Sequence, residues 1–269
     1  MVAKIDTLVL QPKASHTHSV VFLHGRGDNT TDFANSLIRL RDSKNRTLFE
    51  ALPSFRWIFP QAPMRRCISN GQTIPQWFDV YDVTSFRSRE EVQQPGLREM
   101  VPEITQILAR EASALAGGWD RVVLAGISMG AGTSVHTLFN LQVPPEGGGR
   151  LGAFLSFSAR CPFDGRSLDD VRRVLRLDSV PGNDDTIRKT PMLLEHCVDD
   201  GVVYVENGRD LRDTLRRYGA QVTWKEYPSG DHWFNAPKGI DDAIQFLESV
   251  LDIPQGLEVS NADSDVEMT

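Results

Sequence analysis

Short apolar runs recur along the chain at Thr7 to Leu10, Ser19 to Leu23, Trp57 to Phe59, Arg121 to Ala125, Gly152 to Phe157, Met192 to Glu195 and Val222 to Tyr227. Several are Val/Leu-rich throughout instead of alternating with polar residues, which predicts strands buried on both faces, as in a parallel sheet. Longer stretches between them carry a helical period. After Pro95, the residues Leu97, Met100, Val101, Ile104, Ile107, Leu108 and Leu115 fall at three- and four-residue spacing, the stripe of a helix packed on a sheet. Pro102 fits such a helix only in or near its first turn. Ile240, Ala243, Ile244, Leu247 and Val250 repeat the stripe after Pro237 and Gly239 have broken the chain. Strands alternating with helical stretches predict an α/β fold with a mostly parallel central sheet and helices on both faces.

At 269 residues the chain is long enough for one such sheet with its helices, and a single domain over residues 1–252 is expected. Residues 143–150, with two prolines and three consecutive glycines, predict a surface loop. Residues 161–190 mix charge with Leu and Val and read as an insertion, either a lid over the active site or a surface ornament. From residue 253 to 269 the sequence is acidic and poor in apolar residues, the composition of a disordered tail.

Charge narrows the partners. A net charge of −7 without a basic stripe excludes a nucleic acid backbone as partner. The stretch Arg172 to Arg176 is flanked by Asp169, Asp170 and Asp178 and reads as a solvated helix face. Cys67, Cys161 and Cys197 are odd in number and match no metal-binding or disulfide spacing, which fits a reducing compartment. With no signal-peptide pattern and no long apolar run, a cytoplasmic chain without a transmembrane segment is expected.

The chemistry centres on RVVLAGISMGAGTSVHTLF, which reads as strand, sharp turn and helix around Gly126-Ile127-Ser128-Met129-Gly130. That context turns a G-x-S-x-G match into a candidate nucleophile elbow, with Ser128 exposed at the turn. A serine hydroxyl needs a histidine to take its proton and a carboxylate to orient that histidine, in chain order serine, acid, histidine. Only His196 and His232 lie far enough downstream, and His232, in the loop PSGDHWFN before the last helix, has the position of the base. His196, in or at the end of an apolar run, reads as a buried structural residue. Asp200 is the favoured acid, with its neighbour Asp199 open as the alternative, while Asp231 reads as a turn former. Amides for the oxyanion come from Met129, after the nucleophile, and from the turn His24-Gly25-Arg26-Gly27 after an early strand.

Taken together, LHGRGD, FPQAP followed by Trp77-Phe78-Asp79, GISMG, the acid loop and the histidine loop resemble the acyl-protein thioesterase/carboxylesterase family of α/β-hydrolases, from about Val20 to Leu251. The resemblance implies a cofactor-free serine hydrolase of carboxylic esters or thioesters, working through an acyl-enzyme on an acyl substrate that in some members is an acylated protein. It carries the nucleophile to Ser128, the acid to Asp200, the base to His232 and the oxyanion amides to Arg26 and Met129. Trp77, Phe78 and Trp233 are the candidate substrate-binding residues. The sequence departs from the family at Met129, where glutamine is usual, at Arg26, which would add a charge near the acyl pocket, and in the longer interval before Asp200. Those departures keep a second reading open, a specialised esterase for small metabolites without protein-depalmitoylating activity. A third, a noncatalytic binding protein on the same fold, would leave Ser128 inert.

Overall fold

The computed structural model describes residues 5–116 and 118–253. The acidic tail expected over 253–269 therefore lies, apart from Ile253, outside the described residues. In chain order the strands are β1 (Thr7–Leu10), β2 (His18–Leu23), β3 (Phe55–Pro60), β4 (Met64–Arg66), β5 (Thr73–Pro75), β6 (Val122–Ile127), β7 (Ala153–Phe157), β8 (Met192–Cys197) and β9 (Val222–Tyr227). The helices are α1 (Thr30–Arg39), α2 (Leu48–Ala51), α3 (Gln94–Ala114), α4 (Met129–Asn140), α5 (Leu168–Leu175), α6 (Asp185–Lys189), α7 (Val205–Arg217) and α8 (Lys238–Val250). Each of the seven apolar runs became a strand of the main sheet, whose order is β1-β3-β2-β6-β7-β8-β9. Only the β1–β3 pairing in it is antiparallel.

The continuous apolar strands divide their side chains between two cores with the period of two that a pleat dictates. Val21, Leu23, Val122, Leu124 and Phe154 point to the face covered by α3 and α4. Val20, Phe22, Val123, Ala125 and Leu155 point to the opposite face, with Phe33 of α1 and Ile240, Ile244 and Leu247 of α8. The parallel strands thereby deliver their C-terminal ends, and the loops that follow, to one edge of the sheet, where open α/β sheets bind their ligands.

Three expectations need correction. Pro102 lies in the interior of α3 and not in its first turn. It is tolerated because Pro102 and Arg98 are both exposed, so the carbonyl that loses its helical donor faces water. Gly239 does not break the chain before the last helix but sits in the first turn of α8. Arg172 is not on a solvated face: it is 4% exposed, its Nε donates to the Phe139 carbonyl at 2.7 Å, and it pairs with Asp184 at 2.7 Å. It thus satisfies a carbonyl in the last turn of α4, where a cation is favourable. The antiparallel hairpin of β4 and β5 is an addition, too short and too polar to stand out in the sequence. Among the described residues no helix is long and apolar enough to cross a membrane.

Candidate active site

Ser128 stands between β6 and α4 with φ 54° and ψ −124°, a conformation that a residue bearing a side chain rarely adopts. Such a backbone costs on the order of 1–3 kcal/mol and persists only where its surroundings enforce it. Here they do. A Cβ at position 126 would come within 2.6 Å of the Ala131 amide nitrogen, and one at 130 within 2.5 Å of the Leu23 carbonyl oxygen. Only glycine at both positions lets β6, α4 and the end of β2 approach closely enough to force the turn. The Ser128 amide is tied to the Phe157 carbonyl at 3.0 Å, which leaves the hydroxyl free to project from the sheet edge.

His232 meets that hydroxyl. Its Nε2 lies 2.8 Å from Ser128 Oγ and its Nδ1 2.8 Å from Asp200 Oδ2. The three residues come from the elbow after β6, the loop after β8 and the loop after β9, all at the C-terminal edge of the sheet. Nδ1 facing a carboxylate makes it the protonated nitrogen, so Nε2 is left to accept the serine proton.

Asp200 is 2% exposed and surrounded by donors. Its Oδ1 accepts the amides of Val202 and Val203, both at 2.9 Å. Its Oδ2 faces His232 and also His196 Nε2 at 3.2 Å. Burial pushes its acidity down, but the hydrogen bonds from His196 and His232 outweigh it and hold the carboxyl well below the usual carboxylate range. His196, expected to be a buried structural histidine, is buried and is also a second imidazole on the acid, anchored by its Nε2 to the Val203 carbonyl at 2.7 Å. Asp199, the alternative acid, turns the other way. Its carboxylate accepts the amides of Gly230 at 3.2 Å and Asp231 at 2.9 Å, clamping the loop that presents His232. Asp231 occupies the turn before His232 with φ 56°.

Arg26 and Met129, the candidate oxyanion residues, both line the cleft that holds Ser128. Met129 opens α4, where the first N–H groups of a helix have no intrahelical acceptor. The loop carrying Arg26 is braced from beneath: the Trp77 indole donates to the His24 carbonyl at 2.8 Å, and His24 bridges Gly25 and Ala62. The Arg26 guanidinium brings its charge to the cleft wall, as expected, but is held there by neutral partners. It is spent on Gln76 Oε1 at 2.9 Å and Cys67 Sγ at 3.1 Å.

A cleft of about 400 Å³ opens beside Ser128. Ile74, Val80, Val83, Phe86, Val202 and Val203 supply much of its apolar wall, and Phe78 and Trp233 line it as expected. Trp77, expected beside them, does not reach the cleft: fully buried, it works as the brace under the His24 carbonyl. Residues 161–190 contribute nothing to the lining. Arg160 lines the cleft, and sequence reading passed over it. The available signal was a charge placed shortly after the C-terminal end of a predominantly apolar strand.

Fold and site together define a serine-hydrolase architecture, and the comparisons make the family specific. The phospholipase/carboxylesterase family model matches residues 5–251, so the chain belongs to that family. It is similar to acyl-protein thioesterase 1 of Gibberella zeae, at 26% identity over 92% of this chain and 97% of the relative. Acyl-protein thioesterase 1 of Yarrowia lipolytica is 26% identical over 88% of this chain and 93% of its own. The crystal structure of Zea mays acyl-protein thioesterase 2 superposes with a TM-score of 0.70 at 25% identity, covering 91% of this chain and 98% of that one. The chain is therefore a hydrolase of carboxylic ester or thioester bonds.

Proposed function

We propose that the chain hydrolyses its substrate through an acyl-enzyme formed on Ser128. His232 Nε2 takes the hydroxyl proton as Oγ attacks the acyl carbon, and the imidazolium that forms is stabilised by ionised Asp200. The oxyanion of the tetrahedral intermediate is received by the amides of Arg26 and Met129. His232 then returns the proton to the departing alcohol or thiol, and water, activated by the same imidazole, releases the acid. The observation that carries this reading is the continuous relay of two 2.8 Å contacts ending on a serine held in a strained, glycine-enforced turn.

The relatives named as acyl-protein thioesterases extend the reading to thioesters, including acyl groups on protein cysteines, and do not favour a metabolite esterase devoid of that activity. The apolar wall from Ile74 to Val203 suits the hydrocarbon part of an acyl group. Fluorophosphonate labelling and turnover of para-nitrophenyl esters test the assignment. Ser128→Ala should abolish labelling and lower kcat by at least about 10³-fold. Labelling that persists in that variant would place the nucleophile elsewhere.

A further inference from the structure

Arg160 follows β7 and lies on the wall of the cleft that holds Ser128, 9% exposed, with no carboxylate within ion-pair distance among the described residues. Burying a guanidinium is costly unless its charge and its donors find partners. The partner it has is neutral. Its NH2 group donates to Gln93 Oε1 at 2.7 Å, and Gln93 is itself buried and oriented by donating its Nε2 to the Phe86 carbonyl at 2.9 Å. The guanidinium carbon lies 4.3 Å from the centroid of the Phe86 ring and 5.8 Å from that of Phe78, and both rings line the same cleft. Burial lowers the Arg160 pKa to about 10, which leaves the group charged at neutral pH. Gln93 and the two rings thus hold and orient a cation that has no paired carboxylate, Glu90 and Asp164 acting on it only from beyond ion-pair distance.

The cleft's other charged side chains, Arg26 and Asp28, are less buried than Arg160 and have neutral hydrogen-bond partners of their own. Arg26 is bonded to Gln76 and Cys67, and Asp28 accepts the Asn29 amide at 2.8 Å. Arg160 is the more deeply buried of the cleft's two guanidiniums, with one of its donor nitrogens bonded, on the apolar wall of the cleft that holds Ser128.

We infer that Arg160 recognises a carboxylate on the substrate, so that the preferred esters or thioesters carry an anionic group besides the bond that is cleaved. A guanidinium presents parallel N–H donors that match a carboxylate in bidentate fashion, and the pairing strengthens where water is excluded. The substrate carboxylate would supply the counter-charge that the protein withholds, and binding would bring it within reach of Ser128.

This inference rests on the acyl-enzyme reading, and two matched substrate pairs separate the two. The acyl-side pair is para-nitrophenyl hydrogen adipate against para-nitrophenyl hexanoate. The alcohol-side pair is para-acetoxybenzoate against its methyl ester, each corrected for spontaneous hydrolysis. In at least one pair the anionic member should have a kcat/KM larger by about tenfold or more, the scale of a charge-assisted hydrogen bond. Arg160→Gln should bring that ratio to near one, and Arg160→Lys, which keeps the charge but loses the fork, should restore part of it. No preference in either pair of the wild-type enzyme overturns the inference without need of any variant. A preference that survives in Arg160→Gln overturns it equally. If instead neither pair is hydrolysed and fluorophosphonate fails to label Ser128, the acyl-enzyme reading has failed and takes this inference with it.

Discussion

Asp200 and Glu195 belong to the same stretch of chain around β8, and both are nearly closed to solvent, at 2% and 4% exposure, yet their acidities shift in opposite directions. Asp200 has amides on Oδ1 and imidazoles on Oδ2, and stays ionised. Glu195 has an Oε1 with no hydrogen-bond partner, and its pKa is raised well above the ordinary value by burial and then by the neighbouring charge of Asp242. Asp242 keeps its own charge through Lys238 at 2.5 Å, Lys225 at 3.4 Å and the Tyr227 hydroxyl at 2.9 Å. Depth therefore does not decide whether a buried carboxyl is an anion. The donors within reach decide it, and the fold has placed them at the sheet edge, where Asp200 meets His232 Nδ1.

The largest test of that contrast is Asp200→Asn, which removes the anion while keeping the shape. It should lower kcat by roughly 10⁴-fold, as loss of the orienting acid does in a serine-histidine relay. Steady-state kinetics on a para-nitrophenyl ester reads it, and a loss under tenfold would show that Asp200 does not act through His232.

Acid is the second test, because the two carboxyls should not be what fails first. His136 and His18 are buried neutral, with pKa values lowered to about 4, burial being the main cause in each. In the unfolded chain they would take up protons near the model value of 6.5, so the unfolded state binds more protons between these values. Their stabilisation is complete above 6.5 and declines as pH falls toward about 4, with His136 alone accounting for up to about 3 kcal/mol. Asp200, with its depressed pKa, keeps its contribution through that window and loses it only at lower pH. Urea midpoints measured across the window should fall with pH, and a flat profile would contradict the burial of these histidines.

A smaller effect is expected at His196. His196→Phe takes one donor from Asp200 and should lower kcat by about tenfold, the scale of one hydrogen bond to a charged group. The acid limb of the kcat profile should shift with it, because an Asp200 less firmly held as an anion stabilises the His232 imidazolium less. Unchanged kcat and pH profile would make His196 purely a packing residue. Smallest of all is Glu195→Gln, which replaces a carboxyl whose neutral form burial favours by an amide of the same shape. It should leave kcat near the wild-type value and shift stability by no more than about 1 kcal/mol. A large loss of stability would mean that Glu195 is ionised and paired after all.

The seven strands of the main sheet were legible because burial on both faces demands unbroken apolar runs, a demand local enough to be read along the chain. The β4–β5 hairpin was not, since three residues a side impose almost no pattern. Ser128 was legible because its turn excludes a side chain at 126 and 130, which writes two glycines at fixed spacing. Asp200 and His232 could be named from chain order, but nothing local separated Asp200 from Asp199: neighbours in sequence, they face different partners. Trp77 was misread as a lining residue for a similar reason, since an aromatic block declares its bulk but not which ring faces the cleft.

The sequence by itself determined the alternation of buried strands and amphipathic helices, the strained serine turn and the candidate partners downstream. These are demands each segment meets with its own residues. Only the tertiary structure decided that His196 joins His232 on Asp200, that the Arg26 guanidinium is bonded to Gln76 and Cys67, and that Arg160 faces the cleft with its charge unpaired. Each of those outcomes depends on which distant segment supplies a donor or a counter-charge, and such pairings come into existence only when the sheet brings its loops to a common edge.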